Sequence, residues 1–201
     1  KRIGNSSFSS CLQLKNIKFS EDSKLYSIGK YAFFWSSLES IIIPPLVTTI
    51  EESTFMMCSN LNNVEISKES KLKYIEKYAF NSSSIKRFTI PSSMVDFDDF
   101  SFLQTCNLID IEIINNGQVN AIYYDNEFIL SKSDPLNNEF DNLVLARRDI
   151  ENVIIPPFIK RIYPYAFDNC KKIKSIEFSD DSKLEFLGKY SFSLSSIESI
   201  K

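Results

Sequence analysis

A six-residue phrase that keeps returning constrains this chain more than its composition does. Ile-Gly-Lys-Tyr-Ala-Phe at 28–33 recurs as Ile-Glu-Lys-Tyr-Ala-Phe at 75–80, Ile-Tyr-Pro-Tyr-Ala-Phe at 162–167 and Leu-Gly-Lys-Tyr-Ser-Phe at 187–192, with weaker copies starting at Ile3, Ile50 and Phe97. The closing aromatics Phe8, Phe33, Phe55, Phe80, Phe102, Phe167 and Phe192 are spaced by 25, 22, 25, 22, 65 and 25 residues, so two unequal coils make a 47-residue period. Self-similarity at this spacing is the signature of a stacked repeat in which each coil buries its face only against its neighbours.

Each aromatic is followed by a leucine or isoleucine and then a short alternating run. The clearest runs are Ile41-Ile42-Ile43, Val64-Glu65-Ile66, Phe88-Thr89-Ile90, Ile111-Glu112-Ile113, Val153-Ile154-Ile155 and Ile176-Glu177-Phe178. Period-two alternation rich in β-branched residues reads as a strand with one buried face. One strand per coil, stacked in parallel, is a solenoid. In one coil class Pro44, Pro91 or Pro156 follows the run; proline cannot donate to a ladder, so it ends pairing and turns the chain. In the other class a polar turn does so, at 20–25, 67–72 and 179–184.

One coil departs from the pattern. From the strand at 108–113 to that at 150–155 the step is 42 residues, where the others are 23 or 24, so 114–149 is expected to hold an inserted, projecting hairpin. Glu127-Phe128-Ile129-Leu130-Ser131 and Asn142-Leu143-Val144-Leu145-Ala146 alternate like its strands, and Ser133-Asp134-Pro135 with Asn137-Asn138 has turn composition. The chain is expected to be a single solenoid over 1–201, cut mid-repeat at both ends, so that a longer polypeptide or a sealing partner is expected.

The repeated phrase, written I-G-x-x-A-F-x-x-C-x-x-L-x-x-I-x-I-P, resembles the BspA-like, treponemal-type leucine-rich repeat of surface proteins. The resemblance implies an α/β repeat fold, a right-handed leucine-rich-repeat solenoid, mainly parallel β with short helical or turn segments on the convex side. It also implies a cell-surface or secreted protein that adheres to host or extracellular-matrix proteins. The alternative is an intracellular leucine-rich-repeat scaffold for protein assembly.

Composition narrows the chemistry. The chain has no histidine, which removes His-based acid–base catalysis, Ser-His-Asp and Cys-His nucleophiles, and imidazole metal sites. No phosphate-cradling glycine motif occurs, and no enzyme activity, cofactor or metal is expected. A formal charge of −3 and a pI near 5.2 give no electropositive footprint for nucleic acid. No apolar run approaches the roughly 20 residues of a membrane span. Cys11, Cys58 and Cys170 each fall three residues after an aromatic and Cys106 falls four after Phe102. Cysteines two coils apart stand on the order of 10 Å from each other, too far to bridge, so all four are expected to be free, buried thiols. The acidic cluster Asp96/Asp98/Asp99 reads as a solvated turn.

Three surfaces remain as candidates for a protein ligand, such as a host matrix or serum protein, with glycan as a second class. Phe34 and Trp35, with Met56 and Met57 one coil on, put large apolar groups where other coils carry Ser, Asn or Asp. A column of Tyr31, Tyr78, Tyr165 and Tyr190, flanked by Lys30, Lys77 and Lys189, offers apolar area with hydroxyls. The outward strand positions, including Arg87, Asp110 and Glu112, are expected to line the concave sheet. Asn5-Ser6-Ser7 and Asn81-Ser82-Ser83 match the glycosylation acceptor pattern.

Overall fold

The computed structural model describes residues 1–91, 93–98, 100–114, 121–134, 136 and 138–201. The Asp99 of the acidic cluster and the Pro135 and Asn137 of the expected turn lie outside these residues. The chain divides into two compact units, Lys1–Val119 and Asn120–Lys201.

The first unit contains β1 (Arg2–Ile3), β2 (Ser27–Ile28), β3 (Ser40–Ile43), β4 (Thr49–Ile50), β5 (Asn63–Ile66), β6 (Tyr74–Ile75), β7 (Arg87–Ile90), β8 (Asp96–Phe97) and β9 (Asp110–Ile113). They form two parallel sheets, β3-β5-β7-β9 and β1-β2-β4-β6-β8. The coils from Ser27 on therefore supply two strands, not one: a two-residue strand at the start of the repeated phrase and the alternating run; in the first coil the run after Phe8 makes only an isolated bridge, Asn16↔Ser40. The long sheet is in strict register, Ser40↔Asn63, Ile41↔Val64, Ile42↔Glu65 and Ile43↔Ile66. Ile41, Ile43 and Val64 point inward and are buried, while Ile42 and Glu65 face out.

The arc between the two strands of a coil is built of turns; among the described residues there is no helix. The hydrogen bonds give the reason. The Ser6, Phe8 and Ser10 amides donate to the carbonyls of Lys30, Ala32 and Phe34 in the next coil at 2.9, 2.7 and 2.8 Å, and Ser7, Ser9 and Cys11 close local turns on Gly4, Ser6 and Phe8. The next coil repeats the alternation, with Tyr31, Phe33 and Trp35 donating to Glu52, Thr54 and Met56. An α-helix spends every N–H on its own chain. Here every second one is spent on the neighbouring coil. Two residues per arc adopt left-handed backbone to allow it, such as Tyr31 at φ 58° and Trp35 at φ 52°.

Inside the arc the aromatics of the phrase form a ladder. Phe8, Phe33, Phe55, Phe80 and Phe102 stack with ring centroids 5.3–5.5 Å apart and planes within 17° of parallel. Each fully buried ring contributes about 2–3 kcal/mol of apolar transfer energy, and the 22- and 25-residue spacing exists to keep the rings in line.

The second unit contains β10 (Ala121–Tyr124), β11 (Phe128–Ser131), β12 (Asn142–Ala146), β13 (Asn152–Ile155), β14 (Arg161–Ile162), β15 (Ser175–Phe178), β16 (Phe186–Leu187) and β17 (Ser199–Ile200). The strands at 127–131 and 142–146 are present as β11 and β12, and a further strand, β10, precedes them. β10 and β11 pair antiparallel across Asp125-Asn126, both left-handed, with the Glu127 amide donating to the Tyr124 carbonyl at 3.0 Å. That is the turn type whose twist suits a hairpin. The hairpin does not simply project. β12 pairs in parallel with β14, which pairs with β16, and Phe128, Leu130, Leu143 and Ala146 share one core with Phe167 and Ile162. β13-β15-β17 form a parallel sheet of alternating runs within this unit.

Candidate functional site

The apolar group at 34–35 and 56–57 is split by the arc's alternation. Phe34 and Met56 are half-buried, Phe34 meeting Tyr31 edge to face at 5.9 Å. Trp35 and Met57 are 54% and 44% exposed. These two occupy the same place in consecutive coils, tied by the Trp35 amide donating to the Met56 carbonyl at 2.9 Å. Both sit on left-handed backbone, φ 52° and 61°, where the other coils of the unit place Ser10, Ser82 and Gln104. A left-handed conformation costs a non-glycine residue roughly 1–2 kcal/mol, least for short polar side chains. A tryptophan and a methionine there leave about half of their large apolar surface in water.

The tyrosine column is not continuous. Ser53, buried, separates Tyr31 from Tyr78, and Tyr78 packs edge to face on Phe100 at 5.5 Å with the Lys77 ammonium 4.9 Å from both rings. Lys30 pairs with Glu52 at 3.0 Å. In the second unit Tyr165 and Tyr190 are adjacent, centroids 5.5 Å apart, and Lys189 covers Tyr190 at 4.8 Å. On the sheet of alternating runs Arg87 and Asp110 pair with each other at 2.6 Å, opposite one another in the β7–β9 register, and Glu112 stands exposed two residues on.

The cysteines are free, but only two are buried as expected. Cys58 donates its thiol to the Phe33 carbonyl at 2.9 Å and lies 3.6 Å from the Ser36 hydroxyl of the preceding coil; burial pushes its pKa up, against the pull of Ser36. Cys106 is exposed and Cys11 intermediate. The residue three after Phe102 is Thr105, which fills the slot and donates to the Phe102 carbonyl at 2.6 Å, so Cys106 falls one place outside it. Asn81 is buried and accepts a bond from Ser82 at 2.7 Å, while Asn5 is exposed.

Sequence reasoning missed a buried charge in the second unit. Arg148 is 3% exposed, donates to the Ala166 carbonyl at 2.9 Å and reaches Cys170 Sγ at 3.9 Å; its Nε and Nη2 find no acceptor among the described residues. Burial raises the Cys170 pKa and the guanidinium opposes it. The only available signal was an Arg-Arg pair after an apolar run. Among the described residues no three acidic or sulfur groups converge as a metal site would require, and no helix is long and apolar enough to cross a membrane.

With this geometry the similarities to known proteins are specific. The family described as BspA type leucine rich repeat region matches six copies over residues 1–128 and 138–201. The pneumococcal vaccine antigen PcpA is 25% identical over 100% of this chain and 48% of its own, with a TM-score of 0.85. A leucine-rich cell surface protein of Faecalibacterium prausnitzii is 24% identical over 96% of this chain and 48% of its own, TM-score 0.78. A leucine-rich repeat protein of Eubacterium ventriosum is 21% identical over 86% and 50%, TM-score 0.66. The chain thus spans about half the length of these solved relatives. Among curated proteins none matches. The two-strand coil, its stacked phenylalanines and the six matched copies together place the chain in the BspA-type leucine-rich repeat family.

Proposed function

We propose that this chain is a non-catalytic protein-binding module of a cell-surface leucine-rich-repeat protein and that it mediates adhesion to a host or extracellular-matrix protein. The observation that carries this reading is the Trp35–Met57 ridge: two large apolar side chains, exposed, side by side on consecutive coils, on backbone that favours small polar residues. Large apolar side chains left half in water on left-handed backbone support a role in contact with a partner. Exposed Trp and Met are also strong anchors of protein interfaces. The surface location of the similar F. prausnitzii protein supports the setting. Arg87, Asp110, Glu112 and the tyrosines 31, 78, 165 and 190 serve this reading as polar and amphipathic surroundings.

The test is capture from a panel of matrix and serum proteins by the wild-type chain and by Trp35→Ser/Met57→Ser. The double variant is expected to keep its circular dichroism and lose capture at least about tenfold. Capture unchanged in the double variant would overturn the ridge. Labelling of intact native cells with a membrane-impermeant reagent tests the location.

A further inference from the structure

A cleft of about 320 Å³ lies wholly within Asn120–Lys201. Ile122 and Tyr124 line it from one face of β10, and Phe158, just before β14, lines it beside Tyr124. Tyr124 and Phe158 meet edge to face, centroids 5.5 Å apart at 75°, which sets the wall without filling the space. Phe140 adds a third ring, with the Lys132 ammonium 5.2 Å above it.

The polar side is already partly occupied from within. Asp141 is 1% exposed and accepts from the Ser133 amide at 3.0 Å, the Ser133 hydroxyl at 2.8 Å and Lys160 Nζ at 3.1 Å. Burial alone would raise its pKa, but Ser133 and Lys160 outweigh it and hold the carboxyl below its usual 3.8, so it stays charged. Glu139 takes the same Lys160 ammonium at 3.1 Å. Both carboxylates of the cleft are therefore committed to internal donors. Lys183 is different. Its amide is fixed on the Pro157 carbonyl at 2.9 Å, and its ammonium has no carboxylate within 4.0 Å among the described residues. The cleft thus sets apolar walls beside an ammonium that no carboxylate holds among the described residues.

We infer that this cleft binds a peptide segment of a partner protein in which a large apolar side chain stands next to an acidic residue, the apolar group against Tyr124 and Phe158 and the carboxylate on Lys183. A carboxylate answers the Lys183 ammonium with opposite charge, which a neutral sugar does not. The volume, near the lower end of the ~300–1,000 Å³ of ligand pockets, suits one or two side chains. The site shares no residue with the Trp35–Met57 ridge, and its test reads other residues.

The experiment is a nuclear magnetic resonance titration of the 201-residue chain with the capped peptide Gly-Phe-Glu-Gly, and with Gly-Phe-Gln-Gly and Gly-Ser-Glu-Gly as comparators. The Phe-Glu peptide is expected to shift resonances of Ile122, Tyr124, Phe158 and Lys183, saturating at about 1 mM. Each comparator is expected to bind about fivefold more weakly. Lys183→Glu, on an exposed residue, is expected to weaken the Phe-Glu peptide about tenfold and leave Gly-Phe-Gln-Gly unchanged. Phe-Glu and Phe-Gln peptides of equal affinity, affinity indifferent to Lys183→Glu, or no shifts at these residues would each overturn the proposal. The same shifts produced by N-acetylglucosamine would replace the peptide with a sugar.

Discussion

At the scale of single residues, register decides chemistry. Cys58 and Cys170 are held in slots that keep them protonated, while Cys106, one position out of register, faces solvent. Only thiolates react readily with disulfide reagents, and burial raises the pKa as well as blocking access. With an aromatic disulfide reagent at neutral pH, Cys106 is expected to label first and Cys11 more slowly. Cys58 and Cys170 are expected to label only when the chain unfolds. In Cys11→Ser/Cys106→Ser, native-state labelling as fast as in denaturant would sink this assignment. Gly29 makes a second prediction. A Cβ there would fall 2.8 Å from the Asn5 amide nitrogen and 2.9 Å from the Gly4 carbonyl carbon, both backbone atoms of the preceding coil. Gly29→Ala is therefore expected to destabilise the first unit by about 1–3 kcal/mol, measured by urea unfolding. Asp141 adds a pH dependence. Its folded pKa lies below the unfolded value near 3.8, so its contribution is complete above that value and is lost as pH falls through the folded one. Asp141→Asn is expected to lower the thermal midpoint at pH 7 and to flatten its decline below about pH 4, and parallel acid limbs in the two proteins would contradict this.

At the scale of the element, the phenylalanine ladder and the turn arc depend on each other. Alternate arc amides bind the neighbouring coil, which holds the coils close enough for the rings to stack. Phe55 has a ring on either side, at 5.5 and 5.4 Å, whereas among the described residues Phe8 stacks on Phe33 alone. Phe55→Ala is expected to cost about 3–5 kcal/mol and Phe8→Ala clearly less, read from chemical denaturation midpoints. Equal costs would mean that the ladder does not carry the core. The alternating-run strands and the ladder could be read from the sequence because both leave a period. The two-residue strands could not, since two residues are too few for alternation to register. Nor could the turn arc: Tyr31, Trp35 and Met57 are not residues that announce left-handed backbone. Its only trace is the four-residue interval between 31 and 35, or 53 and 57, repeated coil after coil.

At the scale of the whole molecule, what breaks the period is what can be read as function. The exposure of Trp35 and Met57 could be anticipated because large apolar residues stand there where other coils carry Ser10, Ser82 and Asn169. The cleft at Lys183 could not, because Tyr124, Phe140 and Asp141 come from the inserted coil and converge on Phe158 and Lys160 only after folding. A stacked repeat also distributes stability unevenly, since each coil draws its energy from its nearest neighbours. In the second unit the position that opens the phrase grades from Ile162, fully buried, to Leu187, 52% exposed, along β14 and β16, while β17 is exposed at both residues. Amide exchange should follow that order. The Phe167 amide, bound to Ser191, is expected to exchange at least about tenfold more slowly than Lys201, bound to Ile176. The Gly188 amide, bound to Ile162, is expected between them. In the first unit Phe33 and Phe55, each stacked between two rings, should be protected more than Phe8, which stacks on Phe33. Hydrogen exchange followed residue by residue decides the matter: a single rate common to these amides would show that each unit opens in one cooperative step, and nearest-neighbour coil contacts would then not be the source of its stability.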